Sequence, residues 1–265
     1  MQHKMDAMIR RDITCEDGTP GWALITQLEH ARISGELAEG WGRSPVAAFG
    51  WPDVILPTVY HHDDGWDAWE QRPSIDPGSG KPLAFTEMPN DVAHDIWRRS
   101  IERVAEFGPL AQYIVAEHFM RLRRSGDELN EENVRSFLKE YDARCADWLA
   151  QWQAEETTDQ NRTKAAAELA VDYLQTFDVL SLYLCCTPRE TPYHVETPGG
   201  TKLTLHINAA EVTVTPWPWQ AEELSLRASA KVLPAQPLGS DDELRSKLDD
   251  AETIEIAWKL TPMTA

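Results

Sequence analysis

Phe177-Asp178-Val179-Leu180-Ser181-Leu182-Tyr183-Leu184-Cys185-Cys186, FDVLSLYLCC, is apolar nearly all round the turn of a helix. A helix with no polar face has no side to offer to water, so this stretch predicts a central helix, reaching back to about Gln160. One carboxylate, Asp178, lies inside the run. Leaving it ionised and unpaired there costs several kcal/mol or more, on the order of the penalty for any uncompensated buried charge. It must be protonated, salt-bridged, hydrogen-bonded or coordinated to a metal, unless its helix face turns toward water.

Outward from that helix the two sides differ. From Thr26 to Cys186 the dominant period is helical. Thr26-Gln27-Leu28-Glu29 has the pattern of a capping box opening a helix to about Trp41. Asn90 can cap a second helix to about Glu106, Gly108-Pro109 breaks it, and a third runs from Leu110 to about Arg124. A fourth starts at Asn130-Glu131-Glu132, its stripe being Val134, Leu138, Tyr141, Cys145, Trp148 and Trp152. Between Trp69 and Asn90, EQRPSIDPGSGKPLAFTEMP is long and rich in Pro and Gly, the mark of a functional loop or lid.

After Thr187 the period becomes two. TKLTLHIN, EVTVTP, LSLRASAKV and ETIEIAWKL alternate apolar and polar residues, Gly199-Gly200 suits a hairpin turn, and Ser240-Asp241-Asp242-Glu243 can cap a short helix. The expected fold is therefore mainly α. A helical domain over residues 1–187 would carry a small C-terminal antiparallel β-sheet appendage of four or five strands over 188–265. Lid, dimer surface and core-covering layer are all compatible roles for that sheet, and a homodimer is one option for assembly.

The chain has 265 residues, 42% of them hydrophobic, with 11 tryptophans and a formal net charge of −19. That is enough apolar material for a real core. The charge argues against nucleic acid and anionic membranes, both of which demand a basic footprint, but not against a small phosphate ester. Cys15, Cys145, Cys185 and Cys186 have no zinc-type spacing, which suits reduced thiols. MQHKMDAMIRRD lacks an apolar leader core, and no run is long enough to span a bilayer, so a soluble, cytoplasmic protein is expected.

Four more polar residues stand where core is expected. His30 lies on the stripe Thr26, His30, Ile33, Leu37, Trp41, and His118 on the stripe Ile114, Val115, His118, Leu122. His62 and Asp63 sit in Tyr60-His61-His62-Asp63-Asp64-Gly65-Trp66, at the end of the apolar segment DVILPTVY. A lone histidine on an apolar face is usually a satisfied core residue. Several of them together with carboxylates make the ligand set of zinc, iron or manganese.

The order His30, then His62-Asp63, then Asp178 within TFDVLSLYL resembles the signature of the HD-domain superfamily, which is all-helical, metal-dependent and mostly phosphohydrolase. More narrowly, WALITQLEHARISGELAEGWG, HDDGWDAWEQRPSIDPGSGKP, FDVLSLYLC and PWPW resemble a bacterial domain-of-unknown-function family with an HDDGW motif, from about Met8 onward. The resemblance implies an HD-domain-like helical bundle. It implies that His30, His62, Asp63 and Asp178 bind one divalent ion, with His118 bordering the site or binding a second ion that Asp63 bridges. One or two ions per chain are implied, among Mn, Fe, Zn, Mg and Ni. Val179 departs from the pattern, because many HD proteins place an arginine there. His94-Asp95, a second doublet beside Arg98-Arg99, reads as mainly structural.

The activity implied is hydrolysis of a small phosphorylated metabolite or nucleotide through a metal-bound hydroxide. The alternatives are a di-iron oxygenase-type HD protein and a non-catalytic metal-binding helical module. Asp64 is the candidate catalytic acid or base, although Asp-Gly is also a strong turn signal. Arg32, Arg121 and Trp66 are the candidates for contact with a small anionic substrate, surface ion pairing and core anchoring being the plain alternatives. His61 precedes the doublet, and its side chain should diverge from that of His62.

Overall fold

Ile9-Arg10-Arg11-Asp12-Ile13-Thr14 and Pro20-Gly21-Trp22-Ala23-Leu24-Ile25 form β1 (Ile9–Thr14) and β2 (Pro20–Ile25), an antiparallel hairpin ahead of the first helix. Its turn closes with Cys15 N donating to Thr19 O at 2.8 Å, Gly18 taking φ +81°, and Asp17 Oδ1 accepting from Thr19 N at 2.9 Å. The computed structural model of the chain describes residues 8–155, 161–186 and 192–263.

Eight helices follow or intervene: α1 (Gln27–Ala38), α2 (Pro52–His61), α3 (Asp67–Glu70), α4 (Asn90–Arg103), α5 (Pro109–Arg124), α6 (Glu132–Ala154), α7 (Lys164–Cys185) and α8 (Asp241–Asp250) among the described residues. The later strands are β3 (Tyr193–Glu196), β4 (Lys202–Asn208), β5 (Glu211–Thr215), β6 (Leu224–Pro234) and β7 (Thr253–Pro262).

All seven strands join one sheet in the order β1-β2-β6-β7-β5-β4-β3, with β5 and β7 parallel and the other pairs antiparallel. About 48% of the described residues are helix and 22% strand. This corrects the expectation of a mainly α, HD-domain-like helical bundle with a small antiparallel sheet appendage. The sheet is mixed and curled, and β2 pairs with β6 to bring N-terminal strands into it. The physical reason lies in β2. Gly21 to Ile25 are all buried, so the strand is a short continuous apolar run with no alternation to betray it.

The two faces of β2 serve two cores. Ala23 and Ile25 join the main core with Ile33 and Leu37 of α1, Val59 of α2, and Phe177 and Leu180 of α7. Trp22 and Leu24 turn the other way, onto Met8, Leu233, Leu238 and Leu244 of α8. Along the C-terminal strands, Leu203, Leu205, Val212, Val214, Trp258 and Leu260 point inward while alternate residues meet solvent. The helices therefore pack on a platform to which both ends of the chain contribute.

Thr26 caps α1 by accepting from Glu29 N at 3.1 Å. The helix stops at Ala38, short of Trp41, whose ring meets Phe177 edge-on at 5.0 Å and Trp219 at 5.6 Å. Trp219 Nε1 in turn donates to Leu37 O at 2.7 Å, which gives the PWPW segment its place at the C-terminal end of α1. Helix α7 starts after its cap Thr163; Gln160 and the expected boundary at 187–188 lie outside the described residues. The Pro/Gly-rich connector is strapped down on both sides. Pro82 O accepts from Arg10, Ile75 N donates to Asp241 Oδ1 at 2.9 Å, and Leu238 N donates to Gly80 O at 2.8 Å. No helix among the described residues is long and apolar enough to cross a membrane.

Candidate metal centre

Close backbone approaches, each requiring a glycine, set the positions of the central side chains. Helices α1 and α2 cross where the Tyr60 ring lies over Gly35; a Cβ there would collide with the ring. The short 3-10 turn at Asp64–Trp66 rests directly on α4. A Cβ on Gly65 would strike the Ile96 carbonyl and the Ser100 backbone, while Gly65 N donates to Ser100 Oγ at 3.0 Å. That contact explains the glycine of HDDGW more fully than turn chemistry does. His62 is the C-cap of α2, and Asp63 leaves helical geometry with φ −110° and ψ 14°. The departure frees the two neighbours from the 100° divergence of successive helical residues, so both face one point.

His30 of α1, His62 and Asp178 of α7 each offer one ligand atom, and these lie within 4.8 Å of one another. His30 Nε2 is 2.9 Å from Asp178 Oδ1 and 3.8 Å from Asp63 Oδ2. His62 Nε2 is 3.5 Å from Asp63 Oδ2 and 3.6 Å from Asp178 Oδ1. Ligand bonds of ~2.0–2.2 Å place neighbouring donor atoms about 3.0–3.5 Å apart; the four separations lie within a few tenths of an ångström of that range, with Asp63 outside the group of three.

The chemistry of the donor set agrees with the distances. His62 Nδ1 donates to Val59 O at 2.8 Å, so the neutral ring presents Nε2 as a bare lone pair. That atom is buried and has no hydrogen-bond partner among the described residues. A lone pair facing two carboxylates is repulsive unless a cation, proton or metal, lies between them. Burial alone would lower the His62 pKa, but the adjacent Asp63 and Asp178 carboxylates push it up to about 9. Burial pushes Asp63 up, whereas Asp178 is held well below the usual carboxylate range, burial being outweighed by the His30 and His62 rings beside it. The cluster has the electrostatics of a site short of positive charge.

His118 of α5 stands beside this group. Its ring meets that of His62 edge-on at 5.8 Å, and its Nδ1 is buried without a partner among the described residues. Burial, together with the neighbouring cationic groups, lowers its pKa to about 4, so a lone pair is available at neutral pH.

The other candidates lie differently. Asp64 Oδ2 is 2.9 Å from Nδ1 of exposed His61, at the start of the 3-10 turn. Arg32 pairs with Glu29 and Glu36 and donates to the Arg227 carbonyl. Arg121 is held by Asp172 at 2.5 Å and Gln175 at 2.9 Å. Trp66 is buried and donates its side-chain hydrogen bond to Asp63, which fixes the direction of that carboxylate. His94 accepts from Arg123 Nε at 3.0 Å and stacks on Phe137 at 4.4 Å; Asp95 pairs with Arg98 at 3.0 Å.

Two further polar residues behind the site escaped the reading of the sequence. Ser181 contacts His30, and its only signal was a hydroxyl three residues after Asp178 in the apolar run. Glu70, at the end of α3, accepts from Gln27 N at the start of α1, and burial pushes its pKa up to about 8. Nothing in DAWEQ separates that glutamate from a solvated one.

A search of curated proteins and a search of solved structures each return no match to the chain. The family model for proteins of unknown function designated DUF3891 matches residues 8–235, a span that takes in the hairpin, every helix of the centre and strands β3 to β6. The chain belongs to the DUF3891 family.

Proposed function

We propose that the protein holds a divalent transition-metal ion on His30, His62, Asp63 and Asp178, with His118 alongside, and hydrolyses a small phosphorylated metabolite or nucleotide. The observation that carries the reading is His62 Nε2, a buried ring nitrogen with no hydrogen-bond partner among the described residues, 3.5 and 3.6 Å from two carboxylates. The order of ligands along the chain supports it through its resemblance to the HD-domain superfamily.

Such an ion supplies Lewis acidity toward a phosphoryl oxygen and acidifies water toward pKa ~7. The chain's own residues do the rest. The imidazoles form the floor, with side-chain exposures of 1% for His30 and 0% for His62; the carboxylates of Asp63 and Asp178, at 9% and 14%, border the solvent side. Substrate therefore approaches over the carboxylates, while the imidazoles stay dry. Trp66 and Val59 hold Asp63 and His62 in place. Arg121, one turn from His118 on α5, must leave its pair with Asp172 to meet a phosphate.

The test is elemental analysis of the full chain purified without added metal, followed by turnover of a phosphoester panel. One transition-metal ion per chain and chelator-sensitive phosphate release are expected. No bound metal and no effect of chelator on stability would overturn the reading. Two irons per chain without phosphoester turnover would favour the oxygenase alternative, with His118 as a ligand to the second ion.

A further inference from the structure

A ligating histidine must present the correct nitrogen, and on His30 that choice is made behind the ring. We propose that Ser181 is a positioning residue that fixes His30 as the Nδ1–H tautomer and so delivers its Nε2 lone pair to the metal. The role rests on the reading of the site as a metal centre.

The argument is a count of protons. Ser181 Oγ lies 2.8 Å from the His30 backbone oxygen and 2.7 Å from His30 Nδ1, and both residues are fully buried. A carbonyl oxygen has no proton to give, so the hydrogen between the two oxygens is that of the hydroxyl. With its single proton committed there, Oγ offers only lone pairs to the ring. The hydrogen on the 2.7 Å contact must then belong to Nδ1. Rotating the hydroxyl to serve Nδ1 as a donor would leave the buried His30 carbonyl without this hydrogen.

Fold and register make this arrangement available. Asp178 and Ser181 are three residues apart on α7, hence on one face, and that face is the one packed on α1. One helical turn supplies a ligand from its first residue and the orientation of a second ligand from its last. Outer-shell partners of this kind typically change metal affinity by ~10–100-fold.

The test titrates Zn2+ against the full-length wild type, Ser181→Ala and Ser181→Thr by competition with a chromophoric chelator. Two-bond 1H–15N correlation of the histidine rings accompanies it, with His30 assigned by its loss in His30→Asn. In zinc-loaded wild type, His30 is expected to carry its proton on Nδ1. Ser181→Ala is expected to bind zinc about 10–100-fold more weakly with an unchanged far-UV spectrum of the metal-free protein. Ser181→Thr, which keeps the hydroxyl, should restore most of the loss. Equal zinc affinity in Ser181→Ala, a folded Ser181→Thr no better than alanine, or a wild-type His30 lacking a proton on Nδ1 would each overturn the role. If Ser181→Ala does not fold, the wild-type ring spectrum decides alone. Failure of the wild type itself to take up zinc would sink the metal-centre reading and Ser181's role with it, an outcome distinct from failure of the variant only.

Discussion

His62 Nδ1 donates to the carbonyl of Val59 across 2.8 Å, three residues back along the chain. This bond spends the outer nitrogen of the ring on the end of α2 and leaves Nε2 for the interior. The same imidazole thus closes a helix C-terminus and turns Nε2 toward Asp63 and Asp178. His62→Ala is expected to abolish metal binding, and Asp178→Asn to weaken it by at least ~10-fold, with helical content retained in both. Metal content after gel filtration, beside far-UV circular dichroism, checks this. Full metal retention in both variants would show that the ligands lie elsewhere.

Chelation provides a second check. An ion that binds the folded chain alone stabilises it by about 2.7 kcal/mol at one hundred times its Kd. Treatment with excess EDTA is therefore expected to lower Tm by several degrees, and restored Zn2+ or Mn2+ to reverse the change. An unaltered melting curve would count against any structural contribution from metal.

The glycine of HDDGW is expected to be irreplaceable for steric reasons. Gly65→Ala pushes a methyl group into the backbone of α4 at Ile96 and Ser100, a contact with no flexible side chain to yield. The expected destabilisation is about 1–3 kcal/mol, read as a lower denaturation midpoint in urea. Because the turn also carries Asp63, metal affinity should fall as well. A variant as stable as wild type would mean that the turn and α4 are further apart in solution.

His94 provides a pH dependence remote from the ligands. Burial, aided by Arg123 and Arg98, lowers its pKa from 6.5 to about 4. Above pH 6.5 the ring is neutral in folded and unfolded chains alike. As pH falls from 6.5 toward 4, the unfolded chain binds a proton that the folded chain refuses, so folding stability is lost through that window, by up to about 3 kcal/mol. His94→Gln, which retains an acceptor for Arg123, should lose less stability between pH 7.5 and 4.5 than wild type does. Parallel losses in urea titrations at the two pH values would assign the acid sensitivity to other groups.

The hairpin gives a prediction about the fold itself. Trp22 fills the second core between β2 and α8, and Trp22→Ala is expected to cost about 3–5 kcal/mol. Hydrogen exchange should then rise in α8 and in the Leu233–Leu238 stretch ahead of it before it rises in α7. Uniform loosening of all helices would imply a single undivided core.

Much of the helical half was legible because its signals are local. Thr26 is the cap expected of it, the stripe of α6 is buried at Val134, Tyr141, Cys145, Trp148 and Trp152, and α7 is buried over most of its circumference. Of the polar residues singled out within apolar surroundings, His30, His62 and Asp178 converge within 4.8 Å, and Asp63 reaches both imidazoles, at 3.8 and 3.5 Å. Burial of polar groups is costly enough to be visible as an anomaly in the sequence. The roles foreseen for Trp66 and Arg32 were not legible in the same way, because nothing in a sequence says which carboxylate an indole or a guanidinium will meet.

By itself, the sequence determined the long helices, though not α2 or the one-turn α3, and which side chains are out of place in them, because a period of 3.6 and a buried charge are properties of a few neighbouring residues. Tertiary structure decided the sheet. Pairing of β2 with β6 joins Ile25 to Ala230 across some two hundred residues, and a strand buried on both faces carries no alternation to announce it. It also decided the direction of each donor atom at the centre. A hydroxyl from α7 and a carbonyl from α2 select the nitrogens of His30 and His62, and only packing brings those groups behind the rings.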